Sequence, residues 1–411
     1  MYDLLNGLRV IEGAAFIAGP SCGLYFAQLG AEVIRFDAIG GGPDFRRWPL
    51  AHSGLSLYWE GLNKGKKSIA INLGKPEGRE LAVAIATAPG ANAGLFVTNY
   101  PAEGFLSYER LKAAREDIIC VRIMGWADGE PAVDYTVNAA SGVPFMTGPS
   151  EHDGPVNHVL PAWDLLAGAY AAFMLVSAER KRRATGAGSD IRIPLSDVAA
   201  ASLSHVGQVA EVLTAGRDRP RLGNALYGAF GRDFVTADGR RVMVVAITPR
   251  QWKGLVATLD IASAVSALEA ELKISFASDE GARFIHRERL FPLFEKAFAR
   301  RDLAALAAAM DADGVTWAPY QTLYEAATRD PRLFTQNPIF EATAHPSGET
   351  YPAAGSAATL AGSVRAHVTS APRLGQHTDE VLATVLGLGD AHIARLHDAG
   401  VVAGPDPDPV Q

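Results

Sequence analysis

The chain has 411 residues, 48% of them hydrophobic and 20% charged, with a formal net charge of −7. That length exceeds one simple core and predicts two or more domains, while the acidic balance excludes non-specific binding to nucleic acid or an anionic membrane and leaves a local basic pocket open. Cys22 and Cys120 form no disulfide framework and have no zinc spacing, so the chain reads as a protein of the reducing cytoplasm, without a metal.

The start, MYDLLNGLRVIEG, lacks the charged and apolar regions of a signal peptide. LRVIE then predicts a strand. Pro20 suits the first turn of a helix that runs to about Leu29 and stops at Gly30, and AEVIRFD predicts a second strand. The layout is Rossmann-like, but the GxGxxG fingerprint is absent, which weakens a dinucleotide reading. SIAINL, AGLFVTN and IICVRIM predict further strands, with helical stretches near 76–88 and 107–115. Strands separated by helices predict a mostly parallel sheet covered on both faces, with ligands at the carboxyl ends of its strands.

Residues 162–184 predict the clearest helix, Ala/Gly/Leu-rich and ending in ERKRR. Its longest mostly apolar run, Leu165 to Ala178, is too short to span a bilayer. A second helix is predicted near 197–214, then a linker, AGRDRPRLGN, at 215–224. From about 225 to 330 the text changes to a hairpin, FVTADGRRVMVVAI, turning at Asp238-Gly239, and several short helices. After the loop PRLFTQNP come strand-like pieces and APRLGQHTDEVLATVLGL, a loop leading into a helix. The tail GPDPDPVQ predicts disorder.

Asp164, in HVLPAWDLLAGAYAA, falls in the first turn of the predicted helix. The helix N-terminus should lower its pKa, and the residue is either a capping acid or something more. The small residues Ala162, Ala167, Gly168, Ala169, Ala171 and Ala172 would let a bulky group approach it. A carboxylate that is anionic at neutral pH can attack a thioester, expel the thiolate and hold the acyl group as a mixed anhydride. Binding energy from a large remote handle can stabilise that anhydride, and glycine turns around Gly40–Gly42 and Gly223–Gly228 could support the oxyanion or be plain turns. His152 and His158 are candidate bases or structural histidines. The run NKGKKS at 63–68 could neutralise phosphates or be a solvated loop. GxSxG is absent, which argues against a hydrolase elbow.

Taken together, the segments LNGLRVIEGAAFIAGPSCGLYFAQLGAEVIRFD, LNKGKKSIAINLGKPEGREL, FVTNYPAEG, TGAGSDIRIPLSDVA, GVTWAPYQTLYEAATRDPRL and APRLGQHTDEVL, in that order, resemble the class III coenzyme A transferases, the group that includes formyl-CoA transferase and the carnitine CoA-transferases. The resemblance implies that Asp164 is the nucleophile, passing through an aspartyl anhydride and an aspartyl-CoA thioester. It implies an α/β fold: a Rossmann-like large domain built from both chain ends, 1–214 and 340–405, with a smaller α+β domain over 225–330, in an interlocked, ring-like homodimer. Coenzyme A, as part of the substrate with no permanent cofactor, would lie against Ile17, Ala18, Ile71, Asn72, Leu73, Asn99, Tyr100, Gly125 and Trp126.

The sequence departs from the family's usual pattern where Ala38, not a basic residue, follows Asp37, where PAEGFLSYE lacks an arginine, and near Met124, where a polar residue is absent. No clear counterpart of formyl-CoA transferase's glycine-rich loop is present. NHVLPAWD, RPRLGNALYGAFGRDF, RRVMVVAIT, VNAASGVPFMTGP and GVTWAPY are similar to members that move CoA within one molecule, between the two carboxyls of mesaconate. Arg46, Arg47 or Arg232 could then hold the free carboxylate. The alternatives are an intermolecular transferase using a donor such as succinyl-CoA, a non-catalytic nucleotide-binding protein, and an α-methylacyl-CoA racemase. The racemases place a histidine base roughly thirty residues before the aspartate, where this chain has none.

Overall fold

A computed structural model describes residues 1–405; all but Gly404 and Pro405 of the terminal GPDPDPVQ lie outside the described residues. The chain divides into two compact units. The first comprises Met1–Ser141, His158–Glu211 and the segment from Gln336 onward; the second comprises Gly142–Asn157 and Val212–Thr335. The N-terminal segment and the described residues from Gln336 to Pro405 thus belong to the first unit, which also carries Asp164. Among the described residues no helix is long and apolar enough to cross a membrane.

The first unit is built on a seven-stranded sheet. Its strands are β1 (Arg9–Gly13), β2 (Glu32–Ala38), β3 (Lys67–Ile71), β4 (Leu95–Thr98), β5 (Ile119–Met124), β6 (Ser189–Pro194) and, after five strands of other sheets, β12 (Val402–Ala403). They lie in the order β12-β3-β2-β1-β4-β5-β6. Six are parallel, and β12 adds an antiparallel edge by pairing Val402 with Ile71. Central strands read as near-continuous apolar runs because helices cover both faces; Val10, Ile34, Phe96 and Val121 are fully buried or nearly so. Strand order reverses between β1 and β4, where an open α/β sheet leaves its ligand crevice.

Two strands of this sheet escaped the sequence reading. β6 is half-buried or exposed except at Ile193, and β12 has two residues. Neither carries the apolar run that marks β1 to β5. The helix predicted near 197–214 is two, Leu195–His205 and Gln208–Ala215, broken where Gly207 adopts φ +80°. The loop PRLFTQNP contains a π-helical turn, Pro331–Thr335. The strand-like pieces after it are β10 (Phe340–Ala344) and β11 (Thr350–Ala354), an antiparallel pair.

The second unit holds a three-stranded antiparallel sheet, β7 (Phe230–Val235), β8 (Arg241–Ala246) and β9 (Thr316–Pro319). The hairpin turns where predicted, Gly239 taking φ +73°. Phe230, Phe234, Trp252, Phe291, Phe294 and Phe298 pack the core between this sheet and its helices.

A buried charge cluster braces the first unit. Arg35 on β2 donates to Asp37 through Nε and Nη2, both at 2.8 Å, and to Asp44 at 3.0 Å. Its guanidinium lies 4.5 Å over the Trp59 ring. Lys66 donates at 2.8 Å to Glu12 of β1 and to the Pro20 carbonyl, and at 3.0 Å to Asn63. Burial raises the pKa of Glu12 and Asp37 and lowers that of Lys66. The NKGKKS run is therefore neither a solvated loop nor a free phosphate-binding patch. Lys64 and Lys66 are buried, and Lys67 pairs with Glu32 and Glu380. A methionine at Arg35 would fill the volume and leave Asp37 and Asp44 buried without their guanidinium partner, offset only by the charge of Lys66. Arg35→Met should destabilise the fold by about 3–5 kcal/mol, read as a lower urea midpoint at unchanged slope; a midpoint equal to the parent's would show that the cluster contributes nothing.

Candidate active site

Asp164 is the third residue of the helix Ala162–Thr185. The helix is seated by close packing. A Cβ on Gly168 would fall 2.1 Å from Ser21 Oγ and 2.7 Å from the Ala18 carbonyl, so only glycine permits this approach to the helix Ala18–Gln28. Ala167 and Ala171 are fully buried on the same side. These small residues thus serve helix packing; Ala162 and Ala169 alone of the run are exposed. Arg182 anchors the far end, donating to the carbonyls of Ala93 at 2.9 Å and Gly94 at 3.2 Å, and Gly186 ends the helix at φ +73°.

The cap of this helix is another acid. Asp134, on the helix Asp134–Ala140 and 1% exposed, accepts at Oδ2 from the Trp163 N–H at 2.7 Å and the Asp164 N–H at 3.2 Å. Its Oδ1 lies 2.6 Å from His158 Nε2, close enough for the imidazole N–H to donate. Trp163 Nε1 donates to Asn138 Oδ1 at 3.1 Å, and the His158 ring packs beside Tyr135 and Trp163. His158 is thus held as a brace for Asp134. His152 belongs to the second unit, where its carbonyl accepts from Arg221.

Because Asp134 occupies the helix N–H groups, Asp164 does not gain what a first-turn carboxylate usually gains. Its pKa is not lowered. Burial first, and the Asp134 charge second, push it up to about 7, with Arg47 acting in the opposite sense. Arg47 sits 5.6 Å over the rings of both Phe16 and Tyr58. Its carbonyl accepts from Ser56 Oγ at 2.5 Å. The Tyr58 hydroxyl is buried without a hydrogen-bond partner. Burial raises its pKa, and Asp44 and Asp164 add to that while Arg47 opposes it. A carboxylate, a cation and an unpartnered phenol therefore share one neighbourhood, the kinds of group that covalent acyl transfer draws on.

The residues expected against coenzyme A fall at the carboxyl ends of the strands. Ile17 caps the helix Ala18–Gln28, and Ala18 opens it. Between β1 and that helix Phe16 holds φ +69°, a strained value for a bulky residue. The Asn99 side chain clamps this loop, accepting from the Ala15 N–H at 3.1 Å and donating to its carbonyl at 2.9 Å. It thereby bridges the two strands flanking the switch point. Tyr100 follows, packed beside Phe36 and Phe105. At the end of β3, Ile71 is buried, Asn72 donates to the Gly400 carbonyl at 3.1 Å, and the Leu73 carbonyl accepts from Arg79 at 2.8 Å. Gly125 and Trp126 follow β5, where a Cβ on Gly125 would meet the Ala132 N at 2.2 Å.

The three candidate arginines part company. Arg47 is the one that Asp164 feels. Arg46 lines a cavity of about 300 Å³ with Ser53, Trp59 and Arg373. Arg232 belongs to the second unit, paired with Glu295 at 3.0 Å and 4.7 Å over Phe291. Of the glycine turns, Gly40 and Gly41 have φ +86° and +93° beside Asp44, while Gly223–Gly228 lie in the second unit. Sequence reasoning passed over Asp134 and Tyr58. The position thirty residues before Asp164, which in the racemases is a histidine, is the acid Asp134 here. Among the described residues no group of three or more His, Cys, Asp or Glu could hold a metal ion.

Residues 5–378 match the model of CoA-transferase family III, and the chain belongs to that family. It is 51% identical to 2-methylfumaryl-CoA isomerase of Chloroflexus aurantiacus over 99% of both chains. It is 28% identical to human succinyl-CoA:glutarate CoA-transferase over 97% of this chain and 90% of that one. A CAIB/BAIF family protein from Brucella suis superposes with a TM-score of 0.74 at 24% identity, covering 94% of this chain and all of that one, which speaks for the fold alone.

A nucleophile that must be ionised gives activity that rises with pH through its pKa. We expect kcat/KM on a CoA thioester to fall below about pH 7, as Asp164 protonates. Arg47→Met removes the facing cation, disfavours the anion and should move that limb upward. A limb near pH 4, where an ordinary carboxylate titrates, would contradict the environment described.

Proposed function

We propose that the chain converts mesaconyl-C1-CoA (2-methylfumaryl-CoA) to mesaconyl-C4-CoA (3-methylfumaryl-CoA) by moving coenzyme A within one molecule. The observation that carries this is the half-identical, full-length match to 2-methylfumaryl-CoA isomerase; the placement of Asp164 beside Arg47 and Tyr58 is compatible with it.

The chemistry follows from the substrate. Mesaconate is a trans diacid, so its carboxyls cannot close into a cyclic anhydride and the acyl group must pass through the enzyme. An Asp164 oxygen bonds to the C1 acyl carbon, the C–S bond breaks, and the thiolate leaves with the electron pair. The thiolate then attacks the Asp164 carbonyl carbon. The bridging C–O bond breaks, giving aspartyl-CoA and free mesaconate. After mesaconate turns, its C4 carboxylate attacks that thioester and expels the thiolate. The thiolate takes the C4 acyl carbon and restores the Asp164 carboxylate. Tyr58 Oη would donate to the tetrahedral oxyanion, and Arg47 would pair with the carboxylate that is not reacting.

Coenzyme A would lie along Ile17, Ala18, Ile71–Leu73, Asn99, Tyr100, Gly125 and Trp126, at the carboxyl ends where such sheets take ligands. No permanent cofactor is part of this reading. We place the enzyme in the cytoplasm, in keeping with two free, buried cysteines. A homodimer belongs to the same proposal. Leu166, Tyr170, Phe173 and Val176 form an exposed apolar stripe along the helix that carries Asp164, at the i, i+4, i+7 spacing of one helix face. A monomer has no use for such a stripe.

The test uses mesaconyl-C1-CoA alone, with products separated by chromatography. The C4 isomer should form without an added acid and without taking up labelled free mesaconate. Turnover that waits for a second carboxylic acid would assign an intermolecular transferase. Asp164→Ala should lower kcat by at least about 1,000-fold, as loss of a covalent nucleophile does.

A further inference from the structure

The transfer steps use Asp164 and give Asp134 no part. Yet Asp134 is almost fully buried and hydrogen-bonded to the Asp164 and Trp163 N–H groups at 3.2 and 2.7 Å, with His158 behind it at 2.6 Å. Serine, threonine, asparagine and aspartate all serve as helix caps, and the first three accept the same N–H bonds without a charge. A second carboxylate here does something a neutral cap would not: it takes the positive end of the helix for itself and faces Asp164 with a like charge.

We infer that Asp134 is a positioning residue that destabilises the free Asp164 carboxylate relative to its acylated forms, so that forming the anhydride and the aspartyl thioester relieves a repulsion held in the resting site. The inference rests on Asp164 being the acyl carrier. When the Asp164 oxygen bonds to the acyl carbon, its negative charge departs with the CoA thiolate. In the aspartyl-CoA stage the charge rests on released mesaconate. Either way the charge leaves the buried position beside Asp134. An anhydride is less stable than a thioester, and weakening the starting carboxylate narrows that gap. It also leaves a more basic, more nucleophilic oxygen. The groups facing Asp164 are Arg47 from the loop after β2, Tyr58 from the helix Leu57–Leu62 and Asp134 from its own helix; His158 reaches the site through Asp134. Arg47 works against the repulsion, and burial works with it.

The test compares full-length wild type with Asp134→Asn and Asp134→Ser, both neutral acceptors for the helix N–H groups. Two quantities are read: the acid limb of the kcat/KM–pH profile, and the fraction of Asp164 trapped by borohydride as the reduced aspartyl thioester after mixing with mesaconyl-CoA. Both variants should move the limb to lower pH, because losing a like charge eases ionisation. They should also lower kcat by roughly tenfold for each unit of that movement, with less thioester trapped. A limb that stays put while activity falls would make Asp134 an ordinary cap. A limb that moves with kcat and trapping unchanged would also overturn the role. If one variant does not fold, the other decides. Absence of any trapped adduct in wild type would sink the acyl-carrier reading and this one with it, whereas an adduct with an unmoved limb sinks this one alone.

Discussion

Arg35 holds the working end of the sheet together. Its guanidinium lies beneath the carboxyl ends of the strands and bonds Asp37 of its own strand, Asp44 of the following loop, Asn63 at the end of the next helix and Glu12 of β1. Lys66 extends the contacts to Pro20 in the first turn of the helix Ala18–Gln28. The loop that leaves β2 and carries Arg46 and Arg47 is held by a few turn hydrogen bonds, among them Arg47 N–H to the Asp44 carbonyl at 3.2 Å. Asp44, two residues before Arg46, is fixed by the Arg35 fork, and Ser56 holds the Arg47 carbonyl. The charge that faces Asp164 is therefore placed by charges that never meet a substrate. Such clusters are costly to desolvate, and swapping one for apolar residues is often no loss of stability. Here a reason to keep it is geometric: Arg47 must lie over Phe16 and Tyr58, and a greasy contact fixes that direction poorly.

At the other side of the site two helices converge on the same peptide groups. Asp134 and Asp164 lie within reach of one helix N-terminus, and it can satisfy one of them. The buried acid wins because His158 and the Trp163 and Asp164 N–H groups converge on it. Asp164 is left half-buried, repelled and unbonded by the helix whose first turn it occupies. This reverses the simple expectation that a first-turn carboxylate is a stabilised anion. The reversal is useful to a nucleophile, since a well-solvated, well-capped carboxylate is a poor one.

The fold was legible wherever the pattern of buried residues was strong. β1 to β5 are buried on both faces because the sheet is covered on both, and their largely apolar runs can be read without a structure despite the buried Glu12, Arg35 and Asp37. β6 and β12 could not be read that way, since β6 is half-exposed and β12 is an edge of two residues. The helix start that carries Asp164 was visible because it leaves a signature, Pro161 followed by an Ala/Leu-rich run, while the role expected of Asp164 came from the family resemblance. Its surroundings were not. Asp134 arrives from a helix separated from it by loops and the short helix Val143–Met146, Tyr58 from one separated from it by three strands and several helices, and nothing local marks a residue for a contact thirty or a hundred positions away. The basic run 63–68 misled for the same reason. Lys66 meets Glu12, a partner 54 residues distant, so counting charges along the chain suggested an open cationic surface where the folded chain has a closed pair.

Intermolecular and intramolecular CoA transfer share every covalent step through aspartyl-CoA. They part at one point, whether the displaced acid leaves before it can turn. That decision belongs to the groups that hold a carboxylate, and it needs no change in the nucleophile. Relatives of both kinds can therefore keep the same helix start and diverge around it. In this chain a released diacid would carry two negative charges into a site that already holds Asp134. Repulsion alone would expel it, so retention requires a cation close to the nucleophile. Arg47, whose charge acts on Asp164 and whose guanidinium lies 5.6 Å over the Phe16 and Tyr58 rings, is the cation in that neighbourhood. Arg46 borders a separate cavity, and Arg232 is engaged by Glu295. With Asp164 as the proposed acyl carrier, the balance between Asp134 and Arg47 would set two things at once: how readily Asp164 takes up the acyl group, and how long its diacid partner stays to take it back.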